Sequence, residues 1–333
     1  MFLALFGAVE QGIIYAIMAL GVYLTFRVLD FPDLTVDGSF VTGGAATAAT
    51  MVLLGYHPIL ATLVAIVAGF IAGCMTGILH TKGKINPLLS GILMMIALYS
   101  INLRIMGGLT AENTIGRPNI PLLNSETIFS KFQAFWSNLG IDAALNNLLK
   151  GIGFQHVPGT WSVLIVVLII TILIKLIADW FLKTEVGLAI RATGDNKRMI
   201  RSFSANTDTL IILGGLGLSN ALVAFSGALI AQYSKFSDVS MGGIGMIVIG
   251  LASVIIGEAI FGTKTIIRTT FAVIAGAIIY RIILALALRV DFLDSGDMKL
   301  ITAIIVILAL ILPQFINKNK ERKRKAKRAA ELS

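Results

Sequence analysis

Nine stretches of this chain carry about 20 mostly apolar residues, the length a helix needs to cross a lipid bilayer. They run over 2–26, 35–55, 58–79, 87–106, 161–182, 209–233, 243–262, 268–290 and 300–316. The expected fold is an all-α polytopic membrane protein with about nine transmembrane helices, in a range of 8–10. The range reflects 35–55 and 243–262, which glycines interrupt and which can be broken or re-entrant. Composition agrees with this reading. The chain is 56% hydrophobic and 14% charged, whereas a soluble domain carries about a quarter charged residues.

Two short segments repeat each other. Phe31 to Gly38 reads FPDLTVDG and Phe236 to Gly243 reads FSDVSMGG; AIVAGFI at 65–71 is echoed by AVIAGAI at 272–278. The offsets are 205 (31 to 236) and 207 (65 to 272), as two copies of one unit require. Five spans separate the first pair, and an odd number of crossings inverts the second copy. An inverted internal repeat is a recurrent transporter architecture, with the pathway at the repeat interface. The halves are placed at about 27–106 and 209–316 of a transmembrane domain covering 1–316.

Charge sets the orientation. Basic residues accumulate at Arg27, Lys82, Lys84, Lys183, Arg191, Lys197, Arg198, Arg201 and Lys264, and the tail at 317–333 is densely basic. By the positive-inside rule these segments are cytoplasmic, leaving the acidic 291–299 and the long loop at 107–160 outside. The tail reads as a juxtamembrane segment drawn to anionic lipid, and the net charge of +9 is no nucleic-acid signature because it gathers there. The amino terminus lacks a basic region ahead of its apolar run and is read as a retained first helix. In the outer loop, Ile128, Phe132, Phe135 and Trp136 recur at helical spacing, which suits either an interfacial helix or a lid packed on the bundle.

Catalytic motifs are missing from the sequence. GEAIFGTKT at 257–265 is not a phosphate-binding loop, because its Lys is displaced. There is no HExxH, no paired Cys motif, and the lone Cys74 offers neither a disulfide nor a thiolate metal site. Movement of a solute fits better than catalysis. Polar groups inside spans are costly in lipid and are functional candidates by default. Glu10, Gln11, Asp37, Ser39, Thr42 and Gly43, with Gly242 and Gly243 of the second copy, form the candidate pathway set. Glu258 and Arg281 are intramembrane charges of open role. Lys175 and Asp179, four apart on a helix, are expected to pair structurally, and Asp33 and Asp238 to cap at equivalent repeat positions.

The inner segment 183–208 is too polar to cross. Val186–Thr193 can form two helical turns, Gly194 can end them, and Asp195 can cap a second helix at Asn196–Ser202. Its GLAIRATGDN resembles the coupling segment of ABC importer permeases of the branched-chain amino acid and ribose type. EQGIIYAIMALGVYLTFRVLDFPDLTVDGSF and LHTKGKINPLLSGILMMIALYSINLRIMG are similar to a narrower branch, that of tryptophan- and tyrosine-type amino acid permeases. The broader family often has Asn-Phe-Ala-His-Gly where this chain has Phe31–Gly38. The resemblance implies a permease homodimer on two cytoplasmic ABC ATPase subunits, with an extracellular solute-binding protein or lipoprotein. It implies ATP and Mg on the ATPase, with no cofactor on this chain. Gly187, Leu188, Ala189, Ile190, Arg191, Ala192, Gly194 and Asp195 would then contact the ATPase, Leu188 and Ile190 giving bulk and Arg191 a charge at the rim. The implied cargo is an amino acid, aromatic favoured over branched-chain. The rival reading is a stand-alone ion-coupled transporter or channel in which Glu10, Asp37 or Glu258 binds the ion.

Overall fold

The computed structural model describes residues 2–107, 118–151, 157–202, 206–240, 245–288 and, of the last span, 300–305, 307–308 and 311. Gly242, Gly243, the acidic 291–299 and the basic tail 317–333 lie outside the described residues. The described chain is helical apart from two three-residue strands. Among the described residues, six helices are long and apolar enough to cross a membrane. They are α1 (Phe2–Tyr23, continued as a π-helix at Leu24–Val28), α3 (Pro58–Thr81), α4 (Pro87–Gly107), α7 (Ser162–Lys183), α10 (Leu218–Ser234, entered through a π-helix at Leu210–Gly217) and α12 (Ile266–Ala287). Two shorter helices pack within the described bundle: α2 (Thr35–Ala48, with a π-helix at Ala49–Leu53) and the apolar α11 (Met246–Phe261). Eight of the nine apolar stretches thus become helices within a few residues of their sequence limits, and the end of the ninth, 300–316, lies outside the described residues.

The remaining elements sit at the two ends. Strand β1 (Asn119–Pro121) pairs antiparallel with β2 (Phe236–Asp238), Ile120 opposite Ser237. Beside them, α5 (Ile128–Ser137) begins with a Thr127–Ser130 capping box, and α6 (Ile141–Gly151) follows. α5 is a lid docked on the bundle. Phe129 and Trp136 are buried, Phe129 meets the Tyr233 ring edge-on, and Ile128 N–H donates to Gln232. Phe135, by contrast, points out. At the opposite end lie α8 (Glu185–Ser202) and the single turn α9 (Thr207–Thr209).

Lipid tails are as apolar as leucine, so helices in a membrane are held by close van der Waals fit and by side-chain hydrogen bonds. This chain uses glycine for the first. A Cβ at Gly43 of α2 would fall 1.9 Å from the Ala224 carbonyl oxygen of α10, and one at Gly227 of α10 would fall 2.0 Å from that of Phe40. α11 and α12 touch in the same reciprocal way, Gly257 against Ala272 O and Gly276 against Ser253 O, each at 2.0 Å. The second device is hydroxyl-to-backbone bonding. Ser219 donates to Gly21 O at 2.7 Å, Ser226 to Ile14 O at 2.9 Å and Thr171 to Ile13 O at 3.2 Å, which tie α10 and α7 to α1. Between them lies a core built on Ile14, Ile17, Met18, Phe40 and Tyr280, with Tyr15 stacked on Phe40.

The reciprocal glycines give a direct test. Gly227→Ala should destabilise the purified protein by about 1–3 kcal/mol, the usual cost of overpacking. Gly151→Ala, where an added methyl would meet nothing within 4 Å, should leave it unchanged. Thermal unfolding of both variants in detergent, followed by circular dichroism, reads the difference.

Candidate functional site

α11 starts in the middle of the bundle. Its amide at Ile247 donates to Asp37 Oδ1 at 2.7 Å, and Gly38, next to Asp37, packs on Met95 and Leu98, halfway along α4. From there α11 runs toward the α8 end: Gly250 packs on Val22, and Glu258 pairs with Arg27. The first amides of any helix lack partners within it, and inside a membrane no water supplies them. Asp37 therefore caps α11 from another helix.

Beside this cap is a cavity of about 540 Å³ bounded by α2, α4 and the two residues after β2, Val239 and Ser240. Val41, Met95, Ile96, Tyr99 and Val239 give it apolar walls; Asp37, Ser100, Asn102 and Ser240 supply the polar groups. Asn102 is 1% exposed. Its Nδ2 donates to Gly38 O at 3.3 Å, whereas its Oδ1 is buried with no hydrogen-bond partner. The sequence reading missed Asn102. The signal was an amide inside the apolar run LYSINLRIMG. Of the other candidates on α2, Ser39 and Thr42 are buried, Thr42 donating to Gly38 O, and Gly43 is a helix contact. Gly43 and Gly44 do not break α2, which continues unbroken as helix through Leu53.

A second polar group lies nearer the α5 end. Glu10 accepts from Tyr233 Oη at 3.0 Å, and Arg281 donates to Gln11 Oε1 at 2.6 Å. The guanidinium stands 4.2 Å from the centroid of the Tyr15 ring. Gln11 and Arg281 border a further cavity of about 340 Å³ with Ala4, Gly7 and Leu284. These residues form one network and do not meet the Asp37 cavity.

Toward the α8 end several charges are paired. Lys175 binds Asp179 one helical turn on, and Asp179 also accepts from Thr270, joining α7 to α12. The pair expected from the sequence is thus structural. Asp33 is fully buried; it accepts from Thr35 N at 2.9 Å and from Asn220 at 2.7 Å. At the other end Asp238 makes the equivalent turn, accepting from Ser240 N at 2.6 Å.

α8 departs from its expected form. Gly194 does not end the first helix, and Asp195 does not cap the second. The break falls at Asn196 (φ −155°, ψ 89°), whose side chain caps the following turn through Met199 N. Gly194 serves contact instead, since a Cβ there would lie 2.2 Å from Val28 O. Ile190 is 1% exposed and seated on Gly214, so it anchors α8 to its own chain and offers no bulk outward. Gly187 is buried and Ala189 and Ala192 are half-buried, while Leu188, Arg191 and Asp195 face out. Arg191 borders a polar cavity of about 520 Å³ with Arg27, Glu258 and Lys264.

The family described as branched-chain amino acid transport system / permease component matches residues 4–312. A tyrosine transport system permease protein of Clostridioides difficile is 43% identical over 300 residues, 90% of this chain and 88% of the relative. A probable branched-chain amino acid transport permease of Methanocaldococcus jannaschii is 25% identical, over 93% and 90% of the two chains. A galactofuranose transporter permease of Escherichia coli is also 25% identical, over 73% and 60%. No solved structure matches.

The Lys175–Asp179 pair allows its structural role to be separated from any role in a pathway. Asp179→Ala leaves Lys175 with an uncompensated buried charge and should destabilise the protein by about 3–5 kcal/mol. The double variant Lys175→Met, Asp179→Leu should recover most of that loss. Detergent melting curves of the three proteins decide the matter; equal stability of wild type and Asp179→Ala would exclude it.

Proposed function

Because the chain belongs to the family of permease components of branched-chain amino acid transport systems, we propose that it is the membrane subunit of an ABC importer that carries an amino acid inward. It is a multi-pass membrane protein and not an enzyme. Aromatic amino acids are the favoured cargo, with branched-chain next, as the similarity to a tyrosine permease supports. Two copies form the pathway, two ABC ATPase subunits bind ATP and Mg beneath them, and a solute-binding protein delivers cargo from outside. The protein resides in the plasma (inner) membrane with α8 and the carboxyl terminus in the cytoplasm.

The observation that carries this reading is α8. It is a polar helix at one end of the bundle, rooted by Ile190 and Gly194 on the π-helical ends of α1 and α10. It turns Leu188, 51% exposed, away from the protein. An exposed leucine on a rooted polar helix suits a seat in an ATPase groove, from which force reaches α1 and α10. The inverted nine-span repeat is supported by the matched turns of Asp33 and Asp238, which lie toward opposite ends of the bundle. The rival ion-coupled transporter gains little from two of its three carboxylates: Glu10 accepts from Tyr233 and Glu258 pairs with Arg27.

Two measurements test this. Leu188→Glu should abolish binding-protein-stimulated ATP hydrolysis and uptake in the reconstituted complex without affecting membrane insertion. Arg191→Ala should be milder, because exposed ion pairs contribute about 0–1 kcal/mol. Uptake driven by an ion gradient without any ATPase subunit would overturn the proposal. Cysteines placed at Asn124 and Asn196 should react with impermeant reagents from opposite sides; reaction from one side would remove the inverted repeat.

A further inference from the structure

We propose that the cavity at the head of α11 is a site for a primary ammonium group, with Asp37 and Asn102 as its recognition pair. A helix that begins inside a membrane presents free N–H groups and a positive dipole end, a natural seat for the anionic group of a solute. Here that seat is already taken, because the protein's own Asp37 carboxylate accepts from the Ile247 amide. A solute carboxylate would have to displace Asp37 and share the cavity with its charge.

The remaining polar chemistry is acceptor-rich. The orientation of the Asn102 amide is fixed by Gly38 O, which can only accept and so must face Nδ2. Oδ1 is thereby left without a donor, in a residue that is 1% exposed and borders the cavity. A buried acceptor without a partner is costly, and a donor entering from the cavity removes that cost. An ammonium group carries three donors and a positive charge. It satisfies Asn102 Oδ1 and neutralises Asp37 together. The rest of the solute then lies against Tyr99, Ile96, Met95 and Val41. Such a cavity, mostly apolar with a few convergent polar atoms, suits an aromatic or aliphatic amine of amino acid size. The cavity reaches from the middle of α4, at Met95, toward the β2 end, at Val239 and Ser240, and inverted-repeat transporters hold their solutes between such broken or short helices.

The inference rests on the amino acid reading above and can be tested apart from it. In a Cys74→Ala background, Ser100→Cys places a thiol on the cavity wall. Maleimide labelling is then followed in the permease–ATPase complex without binding protein. Tyrosine and tyramine, which carry the ammonium, should slow labelling; 3-(4-hydroxyphenyl)propionate, which lacks it, should not. Protection by the acid as strong as by the amine, or by neither amine, would overturn the site. Asp37→Asn keeps an acceptor for the α11 amide while removing the charge, and Asn102→Leu removes the orphan oxygen at similar volume. Both should assemble, and both should weaken protection about tenfold to a hundredfold, the range for a lost hydrogen bond to a charged group. Unchanged protection in both variants would sink the assignment. Should the wild-type complex take up no amino acid yet show tyramine protection, the transport reading fails and this site stands.

Discussion

In the interior of a bilayer every peptide group must find its partner within the protein, and the arrangement of this chain follows from how that demand is met where helices stop. Full-length helices satisfy it along their own axes. The short ones cannot do so at their buried starts, so carboxylates are brought in. Asp33 serves the Thr35 amide ahead of α2 and is itself held by Asn220 of α10. Asp37, one turn along, serves the start of α11. These two acidic residues tie the start of α2 to α10 and to α11, and the cavity beside α4 opens next to the second of these contacts.

Most of the helical framework was legible in the sequence. Length and apolar character alone placed the spans, because in lipid those two properties leave the backbone little choice. The pairing of Lys175 with Asp179 was also legible, since a spacing of four puts both on one helix face. What escaped was decided by contacts between distant segments. The start of α11 at mid-depth depends on a carboxylate some 210 residues away in sequence. The break in α8 at Asn196 instead of Gly194 reflects a crossing over the Val28 carbonyl, which no local propensity encodes. Ile190 looked available for a partner because its seat on Gly214 is formed only in the fold.

Identity of residue type misled in one further way. Glycines read from the sequence can mean a broken helix or a close contact, and the two are indistinguishable until the neighbour is known. Gly43 proved to be a contact, whereas α11, with few glycines inside it, is the helix that starts short. Polar residues showed the opposite ambiguity. Asn102, hidden in an apolar run, borders the cavity and keeps a buried oxygen without a partner, while Ser39 and Thr42, on the same helix as Asp37, are absent from the cavity wall.

The reciprocal glycine contacts have a consequence for conformational entropy. In water a glycine weakens a helix, because its backbone has the most freedom to lose on folding. In lipid the helix is obligatory before any packing occurs, so that loss has already been met when α2 and α10 come together. Gly43 and Gly227 bring no side-chain rotamers to immobilise, unlike the long side chains whose ordering opposes most interfaces. The two backbones can therefore join through weak, short-range attraction alone, since almost nothing is left to be ordered.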